Sequence, residues 1–293
     1  MIRAILFGLA LLIFGAGTAS AGTSPSCTPS SAGISFGTFT GSQITIIGSI
    51  TLTCTGTGKD GYNLDLSTGS SGTYTPRRMK NGSNSLSYNL YTDSGFSQIW
   101  GAGSGGTNHI SGNVDMGSSS TLTIVVPLYA KLTAQTKPPF GPYLDTIVAT
   151  LTISNVVTTV SFPVTVNVPP DCTFSAGNLV FGTYSGAQLD AQSQISLTCT
   201  SGTAWNVGLD AGSFAGTTVS TRKMTGPGTS SMNYSLFRNS GRTLNWGNTV
   251  GTDTVSGTGT GTAQSITVFG RVPASQNLPA GSYQDTIIAT ITF

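Results

Sequence analysis

Apolar and polar residues alternate in short runs along most of this chain. Ser49 to Thr55 puts Ile50, Leu52 and Cys54 on one face and Ser49, Thr51, Thr53 and Thr55 on the other, the two-residue period of a half-buried strand. Leu122 to Leu132 and Ile266 to Val272 are rich in β-branched and aromatic residues and read as further strands. Gly101 to Gly106 and Gly257 to Gly261 carry too much glycine for a regular element and read as loops. No stretch sustains an amphipathic 3.6-residue period with caps. Many short strands with frequent turn signals predict all-β sandwich or Greek-key units.

The pattern is written twice. Phe36-Gly37-Thr38-Phe39 returns as Phe181-Gly182-Thr183-Tyr184, and Ile50-Thr51-Leu52-Thr53-Cys54 as Ile195-Ser196-Leu197-Thr198-Cys199. Further on, Tyr88-Asn89-Leu90-Tyr91 matches Tyr234-Ser235-Leu236-Phe237, and Trp100-Gly101 matches Trp246-Gly247. Tyr143-Leu144-Asp145-Thr146-Ile147 to Thr150 matches Tyr283-Gln284-Asp285-Thr286-Ile287 to Thr290. Landmarks in one order over the whole length mean two tandem domains.

After the last shared strand the copies differ. The first is followed by a run in which Val160, Phe162, Val164, Val166 and Val168 share one face, with Pro163 favouring an edge strand. The second copy closes at Phe293, and only a short polar stretch precedes Cys27. The reading is that residues 160–168 complete the first sheet in cis and that the second domain keeps an unpaired edge. The alternative is that this run is simply the first strand of a complete second domain. Ile287, Ala289, Ile291 and Phe293 alternate toward the interior of that edge, which suits pairing with an incoming strand.

Composition sharpens the picture. Arg3, the apolar run Ala4 to Ala16 and Ala19-Ser20-Ala21 form a signal-peptide pattern over residues 1–21, so export is expected. The boundaries read as 22–168 and 169–293. Charged residues make up only 8% and the net charge is +2, which gives no footprint for nucleic acid. Four cysteines in an exported chain point to disulfides rather than zinc or redox chemistry. Cys27 with Cys54 and Cys172 with Cys199 is the simplest of three connectivities.

Candidate chemistry is sparse. His109 is the only histidine, set in a Gly/Asn/Ser loop without a framed catalytic set, and reads as solvated. Asp145 and Asp285 recur at matching strand starts and read as structural, because one carboxylate per domain is not a catalytic pair. No ligand cluster for a metal and no phosphate loop stand out. The expectation is a protein without catalysis, cofactor or metal.

The Cys-x26-Cys spacing, Phe-Gly-x-[Phe/Tyr], Leu-Thr-Cys-Thr and the closing Tyr-x-Asp-Thr-Ile-x-Ala-Thr resemble the spore coat protein U domain, found in subunits of archaic chaperone–usher pili. The resemblance covers the mature chain twice. It implies two Ig-like, pilin-type β-sandwich domains in tandem, the second lacking its last strand. It further implies a periplasmic pilus chaperone, an outer-membrane usher and the donor strand of an adjacent pilin subunit as partners. Thr286 to Phe293 would form one groove wall and Leu179 to Tyr184 the other.

A chain that accepts a strand without offering one belongs at the fibre tip, on the cell surface, attached to an abiotic or host surface. Tyr74, Phe96 and Phe140, aromatic residues in first-domain loops, are the candidate contacts. The alternative function is a secreted coat or matrix protein, or a carbohydrate-binding module.

Overall fold

The computed structural model describes residues 24–293, and the signal-peptide expectation lies outside them. The first unit contains β1 (Ser26–Ser30), β2 (Ile34–Thr38), β3 (Ile44–Thr55), β4 (Lys59–Leu66), β5 (Arg77–Asn81), β6 (Asn84–Tyr91), β7 (Ile110–Asp115), β8 (Thr121–Leu132), β9 (Gly141–Ile153) and β10 (Val156–Val168). One layer runs β1-β3-β8-β6-β5 and the other β7-β4-β9-β10-β2, joined by the single bridge Lys80–Leu144. Inward residues of both layers, among them Ile50, Leu52, Leu64, Leu90, Leu128 and Leu151, make one buried core. This is the two-layer packing that alternating strands require.

The second unit repeats the plan with β11 (Cys172–Ala176), β12 (Leu189–Cys199), β13 (Ala204–Leu209), β14 (Lys223–Thr225), β15 (Ser231–Asn233), β16 (Ser235–Phe237), β17 (Val255–Thr258), β18 (Ala263–Val272) and β19 (Ala289–Thr292). Its sheets run β11-β12-β18-β16 and β17-β13-β19, with β14 and β15 as a hairpin. Among the described residues the only helical element is a 3-10 turn at Gly69–Ser71, and no helix is long and apolar enough to cross a membrane.

His109 is exposed, as read from the sequence, with its Nδ1 3.3 Å from Asp65 Oδ1. Two sequence expectations need correction. Gly257 lies in β17, not in a loop, because it pairs with Trp205 and a Cβ there would stand 2.4 Å from the indole. β10 is not an edge strand at its C-terminal end, where Val164, Thr165 and Asn167 pair with β2. Pro163 sits just before that ladder begins, beside Gly33, where a Cβ would stand 2.4 Å from the Pro163 carbonyl oxygen.

The cysteines pair locally. Cys27 bonds Cys54 across the β1–β3 ladder, and Cys172 bonds Cys199 across β11–β12.

Candidate functional site

β10 is held from both sides. It pairs antiparallel with β9 from Val156–Ile153 to Val168–Gly141, and in parallel with β2. Its alternation carries Phe162, Val164, Val166 and Val168 into the core, while Val160 is half-buried. The neighbours on either side, Ile34 and Phe36 of β2 with Ile147, Ala149 and Leu151 of β9, are buried as well. At roughly 1.5–3 kcal/mol for each fully buried apolar side chain, the strand's four core residues contribute on the order of 6–12 kcal/mol.

The second unit has both flanking segments without a strand between them among the described residues. The wall equivalent to β9 keeps its register on the far side, Val207 opposite Ile291 as Leu64 is opposite Leu151. The counterpart of β2, Leu179 to Tyr184, forms no ladder, yet it keeps its place. Phe181 meets Tyr234 edge-on at 6.3 Å, as Phe36 meets Tyr88 at 6.2 Å. These two segments correspond to β9 and β2, the strands that flank β10 in the first unit. Leu179, Phe181, Ile287, Ala289 and Ile291 on them are only partly buried. Phe293, expected to point inward, is 54% exposed and does not join that core.

The wall at Gln284 to Ile288 lies beyond the end of β13 and is held from behind by polar contacts. Asp285 accepts the Tyr234 hydroxyl at 2.6 Å and the Ser213 backbone N–H at 2.8 Å. Asp145 likewise accepts the Tyr88 hydroxyl at 2.6 Å and the Ser70 N–H at 2.7 Å. Both aspartates are therefore structural, consistent with their place in the sequence. Burial, with the adjoining aspartate second, pushes the Tyr88 and Tyr234 hydroxyls well above the ordinary tyrosine range.

Sequence reasoning missed the two arginines beneath these strands. Arg77 and Arg222 are fully buried. Arg77 donates to the Ser67 and Trp100 carbonyls and to Asn89 Oδ1, and Arg222 donates to the Leu209, Asp210, Val219 and Trp246 carbonyls. Desolvation lowers the Arg77 pKa to about 10, so it stays charged at neutral pH. The signal was available in the repeat Arg77-Arg78-Met79 and Arg222-Lys223-Met224, but a charged residue at an inward position reads as exposed until its carbonyl partners are visible.

The three aromatic loop residues do not form one patch. Tyr74 is half-buried with the Arg77 guanidinium over its ring. Phe96 packs edge-on against Tyr91 and Tyr129, with the Lys131 ammonium nearby. Phe140, 42% exposed, faces the second unit: its N–H donates to the Ser201 carbonyl, and its ring touches the space beside Gly202. Lys137 pairs with Asp171 at the same junction. Among the described residues no group of acidic, histidine or cysteine side chains could hold a metal.

The sequence profile of the Spore Coat Protein U domain matches residues 14–150 and again 158–290. The chain belongs to the spore coat protein U domain family. Protein U of Myxococcus xanthus is 35% identical over 130 residues, which span 40% of this chain and 72% of that protein. The fold is similar to that in the chaperone–tip adhesion subunit pre-assembly complex of the archaic chaperone–usher Csu pili of Acinetobacter baumannii, at 18% identity and a TM-score of 0.50, covering 92% of this chain and all of that one. The CupB6 tip adhesin of Pseudomonas aeruginosa also matches, at 10% identity and a TM-score of 0.41 over 91% of this chain and 94% of that one. The second spore coat protein U match begins at 158, inside β10. By sequence that strand belongs to the second copy, and by hydrogen bonding it completes the sheet of the first.

Proposed function

We propose that this protein is the tip subunit of a chaperone–usher pilus, attaching the fibre to abiotic or host surfaces. In this reading the second-unit groove takes a strand from another chain. A periplasmic chaperone supplies it first, the adjacent pilin subunit replaces it, and an outer-membrane usher passes the assembly to the cell surface. The observation that carries the reading is the pair of segments flanking the second unit's open edge, which correspond to those that hold β10 at Ile291 with Leu151 and at Phe181 with Phe36. An open sheet edge flanked by apolar side chains is suited to strand addition. The order of the units, a filled one followed by an open one, supports placing the chain at the end of a fibre. The family and the fold shared with a tip adhesion subunit support it further.

Attachment is assigned to the first unit, spanning residues 22–168, with Tyr74 and Phe96 as candidate contacts. Phe140 serves the joint to the second unit, 169–293. The alternative, a secreted coat or matrix protein, rests on the family's description and needs no incoming strand.

The test is to titrate the full chain with a peptide of the β10 sequence, residues 156–168. The expected result is a stable complex and a higher melting temperature for the second unit, both lost in Ile287→Asp. A chain that neither binds the peptide nor gains stability from it overturns the pilus reading and favours the coat protein.

A further inference from the structure

Asp210 occupies the junction just past the end of β13. Its neighbour Leu209 is the last residue of β13 and pairs with Ala289. Past that point the wall is tied to a strand only at Gln284, which exchanges both backbone hydrogen bonds with Thr225 of β14 at 2.8 and 3.0 Å, so between Gln284 and Ala289 its extended form needs another support. Asp210 supplies one through three groups at once. Its N–H donates to the Ile288 carbonyl at 3.1 Å, and its Oδ1 accepts the Ile288 N–H at 3.0 Å. Its own carbonyl accepts from Nε of buried Arg222 at 2.8 Å.

The first unit uses a serine for the same junction. Ser67 donates its N–H to the Val148 carbonyl at 2.9 Å and accepts the Val148 N–H on Oγ at 3.0 Å. Its carbonyl takes Nε of Arg77 at 3.0 Å. There β10 covers the other side of the wall as well, so the junction is one support of two. In the second unit it stands without that strand. A side-chain acceptor one residue past the end of a strand extends the ladder by one pair, and a buried arginine makes its carbonyl end hard to move.

We propose that Asp210 is a positioning residue of the acceptor groove, clamping the wall at Ile288 to Arg222 so that the wall is already extended when a strand arrives. This rests on the reading that the groove accepts a strand. A wall fixed beforehand spares the incoming strand the entropy of ordering it, which favours fast capture.

The experiment compares the full chain with Asp210→Ala and Asp210→Ser, the serine being the first unit's own solution. Amide hydrogen exchange at residues 284–288 is measured without peptide, and capture of the 156–168 peptide is followed by stopped flow. Asp210→Ala is expected to speed exchange at Ile288 at least tenfold and to slow capture several-fold, with Asp210→Ser close to the parent in both. Equal exchange and capture in the parent and Asp210→Ala overturn the positioning role while leaving the groove reading intact. Loss of rescue in Asp210→Ser overturns it too. Absence of capture by the parent chain counts against the groove reading instead, and the exchange data then decide the clamp alone.

Discussion

Phe162 stands directly opposite Ile147 in the β9–β10 ladder, and both side chains are buried. Its ring is 1% exposed, close to the small side chain of Ala149, which pairs with Val160 one position further along that face. Removing the ring leaves a cavity that the packed core around it restricts from closing. Phe162→Ala is expected to cost about 3–5 kcal/mol, and Val160→Ala distinctly less because Val160 is only half-buried. Calorimetry on the full chain should show the first unit melting earlier with the second unchanged. A change in the second unit's transition would mean that β10 serves that unit, as the alternative strand assignment holds.

Arg77 presents a different kind of burial. Its guanidinium satisfies the Ser67 and Trp100 carbonyls and Asn89 Oδ1, and Trp100 and Asn89 are buried. Arg77→Met removes the donors and leaves the acceptors buried. The expected loss is on the order of 3–5 kcal/mol, as for breaking one partner of a buried charged set. Arg77→Lys keeps the charge but cannot fork to three acceptors, so it should fall between the two. Urea denaturation of the three proteins tests the ranking, and a Met variant as stable as the parent would show the network to be dispensable.

The layered fold was readable because strand alternation and the repeat point the same way. Ile50, Leu52 and Cys54 are buried where the pattern puts them, and the doubled landmarks locate the second unit. Residues 160–168 could be placed between two units only by comparing the copies, since their alternation alone fits either sheet. What stayed hidden depends on non-local partners. Arg77 and Arg222 look like surface charges until carbonyls from three separate segments converge on them. Phe140 looks like a loop tip until Ser201, distant in sequence, meets its N–H. Gly257 reads as a loop residue until the Trp205 ring appears across the ladder.

The two disulfides are expected to differ in reactivity. Cys27 is buried, and the carbonyl of Cys27 accepts the Thr158 hydroxyl of β10 at 3.1 Å. Cys172 is half-exposed, in the unit that has no such covering strand among the described residues. Exchange needs access of a thiolate to one sulfur, so mild reductant should open Cys172–Cys199 first. Timed alkylation with mass spectrometry follows it. Both bonds close loops of similar length, and the loss of either is expected to cost about 3–4 kcal/mol. Occupying the groove with the β10 peptide should slow reduction of Cys172–Cys199, while equal rates for both disulfides in the free chain would sink the argument.

Phe96 has a φ of +54° and its counterpart Arg242 a φ of +55°, a region where most side chains are strained. Two unlike residues share that conformation because the loop around them is built alike. Asp93 accepts the Ser97 and Gln98 N–H groups, as Asn239 accepts those of Thr243 and Leu244. The loop therefore does not require the phenyl ring. Arginine already occupies this conformation in the same chain, so Phe96→Arg leaves the backbone unstrained and is expected to cost the two edge-on ring contacts with Tyr91 and Tyr129, about 1–3 kcal/mol together. The half-exposed aromatic surface is lost all the same. The variant thus separates adhesion from folding. Retention on a hydrophobic surface, measured well below the melting temperature of either protein, should drop if Phe96 is a contact residue. Unchanged retention would remove it from the candidates and leave Tyr74 alone among the three.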